Sequence, residues 1–130
     1  MYSMIMDFDK DELRIPKDVA EALSMPPDFG WYVHRGDRQI AITRYMDPDY
    51  LLAQRRSSGK RKSRLPGYWR DDADAYCVAV VRVMLQMIGN LITGFDGSGV
   101  YVLTGSAADA SGEPVVLFDL AQAAPARSIQ

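Results

Sequence analysis

Hydrophobic and polar residues alternate near the start of the chain, and this alternation predicts two short strands. Alternate side chains from Met4 to Phe8 are apolar, and Leu13-Arg14-Ile15 predicts a second short strand after a charged turn. Pro16 suits the first turn of a helix, because the N–H that it lacks would have no intrahelical partner there. We therefore predict that a two-turn helix occupies residues 17–24.

Aromatic and β-branched residues then predict strands in both halves of the chain. Residues 31–33 and 39–44 surround a glycine-containing turn at residues 35–38, which is the pattern of a β-hairpin. In the second half, residues 100–104 and 115–120 predict two further strands joined by a connection of small and polar residues.

Between these strand pairs, apolar residues recur at helical spacing. Only Arg82 and Gln86 are strongly polar within residues 75–88, so this segment predicts one long helix that is buried on nearly every side. Asp71 or Asp72 would cap its first turn, where acidic side chains oppose the positive end of the helix dipole.

Together these elements predict a single α+β domain, with two β-hairpin (βαββ-like) units around one long buried helix. Residues 1–52 form the first β-α-β-β unit, 53–67 a basic loop, 68–120 the long helix plus a hairpin, and 121–130 a loose tail. The similar order of elements in the two halves has two interpretations, an internal duplication or a chance recurrence.

Composition places the chain among ordinary globular proteins. With 130 residues, 48% of them hydrophobic and 25% charged, it is long enough for one domain with its own core. No apolar run reaches the roughly 18 residues of a membrane span. The N-terminus lacks the basic and apolar regions of a signal peptide, and a single cysteine excludes an internal disulfide. We therefore expect a cytoplasmic protein that does not associate with membranes.

The charge distribution changes this picture, because the basic residues are concentrated in one segment. Residues 55–64, here called the basic stretch, contain no acidic and no apolar side chain. Without them, nine basic residues face seventeen acidic ones, a net charge of −8. The six basic residues of the stretch are Arg55, Arg56, Lys60, Arg61, Lys62 and Arg64.

Such a stretch is typical of two situations. It can neutralise several phosphates of a nucleic acid at once, with Tyr50, Tyr68 and Trp69 beside it as stacking surfaces. Alternatively, it is a solvated linker whose charges maintain solubility.

One segment of the first half also resembles a known family. The sequence LRIPKDVAEAL at residues 13–23, with the hairpin that follows up to residue 44, resembles the DNA-binding half of the AbrB/MazE-like swapped-hairpin proteins. The resemblance implies a swapped-hairpin barrel, in which one βαββ unit interleaves with another. The second unit comes from a partner in a homodimer or, here, from the second half of the chain.

The resemblance also implies that DNA is contacted near the first strand and helix. This chain offers Arg14 and Lys17 there, and the hairpin turn adds Arg35 and Arg38 as further secondary candidates.

The residues that carry most enzyme chemistry do not form a recognisable set. His34 has no nucleophile that the sequence pairs with it, and Cys77 lies on an apolar face, where a buried thiol is expected. The aspartates fit no metal-binding spacing. We therefore expect no enzymatic activity, no cofactor and no metal site.

These observations favour a non-enzymatic nucleic-acid-associated protein, of AbrB-like bacterial regulatory or mobile-element accessory type, that contacts phosphates through the basic stretch. The alternative is a protein-binding module, such as an antitoxin or immunity protein, whose acidic body masks a basic partner.

Overall fold

The structure is a computed structural model that describes residues 1–24, 28–44, 62–110 and 113–126, and this part of the chain contains nine strands and two helices. The strands are β1 (Tyr2–Asp7), β2 (Glu12–Pro16), β3 (Asp28–His34), β4 (Gln39–Arg44), β5 (Lys62–Arg70), β6 (Ala75–Ala79), β7 (Val100–Ala110), β8 (Glu113–Asp119) and β9 (Ala124–Pro125). The helices are α1 (Lys17–Ala22) and α2 (Arg82–Gly89).

The strands pair in one antiparallel ring. The order is β1-β2-β6-β5-β3-β4-β8-β7, and β7 pairs again with β1, while β9 lies beside β7. The sheet is therefore a nearly closed antiparallel barrel. The predicted α+β fold, two hairpin units around a long buried helix, is wrong.

The alternation of side chains explains how this barrel buries its core. Met6 lies opposite Leu13, and Leu13 lies opposite Val78, so one apolar face continues across β1, β2 and β6. These three side chains are almost completely buried. The same alternation continues around the ring through Phe29, Trp31, Val33, Ile40, Ile42, Val116, Phe118 and Leu103, all of which are buried.

The long helix predicted over residues 75–88 is instead a strand followed by a short helix. In β6, Cys77 and Val78 are both fully buried although they are neighbours on opposite faces of the strand. A strand buried on both faces loses its apolar–polar alternation, so its sequence pattern cannot be distinguished from that of a buried helix. The aspartates before it form a turn, since Asp74 adopts a left-handed φ of 52° that aspartate tolerates.

The two helices lie at opposite ends of the barrel. β2 ends at Pro16, opposite the first residue of β6, and α1 follows directly. α2 follows the other end of β6, where Ala79 lies opposite Glu12. Val19 of α1 and Leu85 of α2 are both fully buried in the core. Neither helix in the described part of the chain has the length and apolar character needed to cross a membrane.

The ring of pairings is unchanged when the two halves of the chain are exchanged. Replacing β1 by β5, β2 by β6, β3 by β7 and β4 by β8, and the reverse, reproduces all eight pairings of the ring. Each half has the order hairpin, helix, hairpin. This topology is that of an internal twofold repeat, in a ββαββ unit longer than the βαββ unit expected from the sequence.

The C-terminal segment predicted to be a loose tail is attached to the barrel in part. Ala124 and Pro125 lie opposite residues of β7, and the N–H of Ala126 donates to the carbonyl oxygen of Val100 at 2.7 Å. Residues 127–130 lie outside the described residues.

Candidate nucleic-acid interface

The basic stretch leads into strand β5, and its last residues belong to that strand. The backbones of Lys62 and Arg64 lie opposite those of Tyr32 and Gly30 in β3. Residues 62–67 are therefore strand rather than part of the predicted loop. Arg55, Arg56, Lys60 and Arg61 lie outside the described residues, as does Tyr50.

Two aromatic side chains are exposed at the other end of β5. Tyr68 is 57% exposed and Trp69 is 37% exposed. The ring of Trp69 packs edge-on against Tyr76, with centroids 5.0 Å apart, and its Nε1–H donates to Asp71 at 2.8 Å. Among the described residues, Tyr68 has neither a ring contact nor a side-chain hydrogen bond. Trp69 is therefore held in one orientation, whereas the ring of Tyr68 is available for stacking.

Arg70, the next residue of β5, is engaged by acidic side chains. Its guanidinium pairs with Asp72 at 2.9 Å and with Glu12 at 3.3 Å. The hydrogen bond to Asp72 raises the pKa of Arg70, and the same bond lowers the pKa of Asp72. Because Arg70 already has carboxylate partners, it has little capacity left for a phosphate.

Two of the four secondary candidates for nucleic-acid contact, Arg14 and Arg38, make contacts that stabilise the fold. Arg14 pairs with Asp7 and, at 2.7 Å, with Glu12. Arg38 donates twice to the carbonyl oxygen of Leu91, at 2.6 and 2.9 Å. These arginines tie neighbouring segments together and have little capacity left for a ligand.

Lys17 and Arg35 are exposed, but the structure does not bring them together. Lys17 begins α1, and Arg35 lies in the β3–β4 turn beside α2, at the opposite end of the barrel. The four secondary candidates therefore do not form one surface.

The acids that hold Arg14 were not identified from the sequence. Asp7 and Glu12 are only 2% and 7% exposed, on the outer face of β1 and β2. Asp7 also accepts the backbone N–H groups of Asp9 and Lys10, both at 2.9 Å. Every contact of Asp7 thus stabilises the β1–β2 turn or its neighbours, which is a structural role.

The remaining candidates for chemistry are Cys77, His34 and the acidic residues. Cys77 is buried, as predicted, and burial raises the pKa of its thiol, which keeps it protonated and unreactive. The side chain of His34 lies outside the described residues. In the part of the chain that the structure describes, no three His, Cys, Asp or Glu residues are placed to hold a metal ion.

Sequence reasoning also missed an apolar pocket between α2 and the end of β3. Trp31 and Val33 line it from the strand, and Met84 and Met87 line it from the helix. The helix predicted over residues 75–88 would bury both methionines on nearly every side, but Met87 is 39% exposed. Helical periodicity gives no sign of this pocket, because it depends on where α2 meets the barrel.

A comparison of the chain with protein-family models, curated proteins and solved structures found no match.

Proposed function

We propose that this protein is a non-enzymatic nucleic-acid-binding protein that contacts phosphates through the basic stretch. The proposal is carried by one observation: the basic stretch runs into the strand that ends in the exposed side chains of Tyr68 and Trp69. Positive charge and aromatic faces on a continuous segment are the two components of sites that hold single-stranded nucleic acids.

The two components have separate roles. The basic side chains neutralise phosphates and release counterions, which gives affinity that falls steeply with salt. Tyr68 stacks on a base, and this contact requires a base that is not already stacked within a duplex. Neither contact reads the edges of the bases, so binding is largely independent of sequence.

The rest of the chain restricts where a nucleic acid can bind. Outside the basic stretch the net charge is −8, so most of the surface repels a polyanion. Acidic side chains also pair with Arg14 and Arg70, so these two basic residues attract a polyanion less than the sequence alone suggests. A bound strand is therefore directed to the basic stretch and the end of β5.

A comparison of two charge variants tests the proposal. One variant carries Arg55→Ser, Arg56→Ser and Lys60→Ser, and the control carries Lys10→Ser, Lys17→Ser and Arg35→Ser. Each loses three positive charges, so a general electrostatic effect would change both alike. Fluorescence anisotropy with labelled oligo-uridine, oligo-thymidine and duplex DNA, over a range of salt concentrations, gives the affinities.

We expect weaker single-strand binding for the first variant only. Its slope of log affinity against log salt should flatten by about 0.7 for each phosphate that the variant no longer neutralises. Equal decreases in affinity for the two variants would place the binding site outside the basic stretch. In the same assay Tyr68→Ala should weaken single-strand binding by about 1–3 kcal/mol, while Tyr68→Phe retains the ring and the affinity.

The acid excess outside the basic stretch favours a second candidate function, binding of a basic protein partner as an antitoxin or immunity protein does. If the wild-type protein binds none of the three nucleic acids at low salt, this candidate replaces the first. Its own signature would be tight binding of a cationic partner that weakens as salt rises.

A further inference from the structure

Strand β7 has an open edge at its C-terminal end. On the side that faces β1, the pairing of β7 stops where Gly105 lies opposite Tyr2. β7 continues to Ala110, and no other strand in the described part of the chain pairs with residues 106–110 on that side. The side chains of residues 106–109 are exposed. Five residues of β7 therefore present backbone groups to which another strand can bind.

The other half of the barrel shows that a strand fits at this position. β1 and β5 end at equivalent turns, residues 8–11 and 71–74, but β5 has nine residues and β1 has six. The three additional residues of β5, 62–64, pair with residues 30–32 of β3. In the internal repeat, residues 106–108 of β7 correspond to those residues of β3. The place that β5 fills beside β3 is therefore open beside β7.

This open edge is held in place and carries little protection against pairing. β8 pairs with β7 in consecutive register from Gly105 to Ala110, and β4 pairs with β8 as far as Val115. Strand edges are commonly blocked by lysine, proline or a bulge. Residues 106–110 are Ser-Ala-Ala-Asp-Ala, with one charge and no bulky side chain. Another strand can therefore approach closely.

The alternation of the backbone identifies the groups that are free. The carbonyl oxygen of Gly99 accepts from the N–H of Phe8 on the β1 side, and that of Val100 accepts from Ala126 on the opposite side. Successive residues of a strand direct their N–H and C=O groups to opposite sides, so the odd-numbered residues of β7 face the β1 side. Ala107 and Asp109 therefore direct their backbone groups toward the open edge.

A second copy of the chain can satisfy these groups in one register only. Two copies related by a twofold axis bring the same edge together in antiparallel orientation. An axis at Ala108 places Ala107 of each copy opposite Asp109 of the other, so all the free groups are used. An axis at Asp109 would place two carboxylates directly opposite each other, which is unfavourable. An axis at Ala107 would place Asp109 opposite Gly105, whose edge is already occupied by β1.

We propose that the protein forms a homodimer in which β7 pairs with β7 of a second copy, centred on Ala108. No element is exchanged between the copies, in contrast to the swapped hairpins that the family resemblance implies. Because so short an edge buries a small area, the dimer is weak and its population rises with protein concentration. The dimer surface is separate from the basic stretch and from Tyr68, so the proposal does not depend on nucleic-acid binding.

A cysteine on the twofold axis tests the register. Ala108→Cys places two thiols opposite each other in a non-hydrogen-bonded pair, with Cα atoms about 4.5 Å apart, which suits a disulfide. Thr104→Cys is the control, because Thr104 is an exposed residue of β7 that lies opposite Ser3 of β1. Both variants are oxidised with diamide, and non-reducing electrophoresis measures the covalent dimer. Cys77 is buried and common to both. We expect rapid crosslinking of Ala108→Cys and little of Thr104→Cys.

Charge variants test the same pairing without oxidation. Ala107→Lys creates two opposite-charge pairs with Asp109 across the axis, and Ala107→Asp creates two like-charge pairs. The dimer dissociation constant, measured by sedimentation velocity, should fall about fivefold in the first variant and rise about fivefold in the second. Thr104→Lys and Thr104→Asp change the net charge by the same amounts and should leave the constant unchanged.

Three results would overturn the proposal. Equal crosslinking of Ala108→Cys and Thr104→Cys would indicate random collision. Equal effects of the substitutions at positions 104 and 107 would assign the association to net charge. If Ala107→Lys remains monomeric at every concentration, β7 does not pair with its own copy.

Discussion

Replacing Gly105 by alanine should strongly destabilise the protein, because β7 has no room for a side chain at that position. Gly105 lies opposite Tyr2 of β1 on one side and Phe118 of β8 on the other. An added Cβ would lie 2.7 Å from the carbonyl carbon of Leu117 and 2.9 Å from the Cα of Phe118, against 3.4–4 Å for ordinary contacts. Since these are main-chain atoms, no change of rotamer relieves the overlap.

The expected cost follows from what must move. β7 and β8 have to separate locally, which weakens about two ladder hydrogen bonds worth about 1 kcal/mol each. Overpacking adds about 1–3 kcal/mol, so the free energy of unfolding should fall by about 3–5 kcal/mol. Urea denaturation followed by circular dichroism measures this difference.

Gly36→Ala is the matched control for this substitution. Gly36 lies in the β3–β4 turn without a positive φ, and no atom lies within 4 Å of the position that a methyl group would take there. We expect no loss of stability and a gain of up to about 1 kcal/mol, because alanine restricts the unfolded chain. If the free energy of unfolding of Gly105→Ala is within about 0.5 kcal/mol of the wild-type value, the register of β7 against β8 is refuted, since so small a change is typical of an unconstrained surface site.

Two further predictions concern α2 and β6. Leu85→Ala should lower the free energy of unfolding by about 2–5 kcal/mol, because Leu85 is fully buried where α2 closes the barrel. Val83→Ala, at an exposed site on the same helix, should change it by less than about 0.5 kcal/mol. Similar losses for the two variants would contradict the orientation of α2. Because burial raises the pKa of the Cys77 thiol, the folded protein holds this proton more tightly than the unfolded chain, so stability should fall as pH rises past the ordinary thiol pKa. Urea denaturation across that pH range should show a steeper fall for wild type than for Cys77→Ala, and identical profiles would contradict the raised pKa.

The sequence predicted the strands that an alternating pattern or a hairpin turn identifies. Met4 and Met6 are buried, whereas Ser3 and Ile5 on the opposite face are exposed or half-buried, and the strand predicted there is confirmed as β1. The hairpin around residues 35–38 is likewise confirmed as β3 and β4. Periodicity alone is sufficient for β1, whereas β4 is buried on both faces and was predicted from its β-branched residues after a glycine-containing turn.

The prediction was wrong for β6, which is buried on both faces and does not follow a glycine-containing hairpin turn. Ala75 and Cys77 are covered on the outer face of β6, so nothing in their polarity distinguishes this strand from a helix. The long-range pairing of Cys77 with Arg14 and Tyr68 decides its conformation, and a single sequence does not reveal that pairing. The fold class depends on this segment, which is why the barrel was not predicted.

The candidate sites also differ in how far the sequence alone reveals them. The basic stretch is visible because charge is a property of the sequence itself, and Lys62 and Arg64 show where it joins the barrel. The engagement of Arg14 by Asp7 and Glu12 is not visible, because it depends on side chains that meet across two strands and a turn. The pocket beside Trp31 depends on how α2 packs and was equally inaccessible.

The pairing of strands explains why the two halves form one folding unit. Within each half, the two hairpins do not pair with each other; they pair with hairpins of the other half, through β1–β7, β2–β6, β3–β5 and β4–β8. A single half would therefore leave the edges of both hairpins without backbone partners. The connection between the halves runs from β4 to β5, and it contains most of the basic stretch. Because β5 pairs with β3 on one side and with β6 on the other, the barrel fixes the backbone at the end of the stretch and at the aromatic residues beyond it.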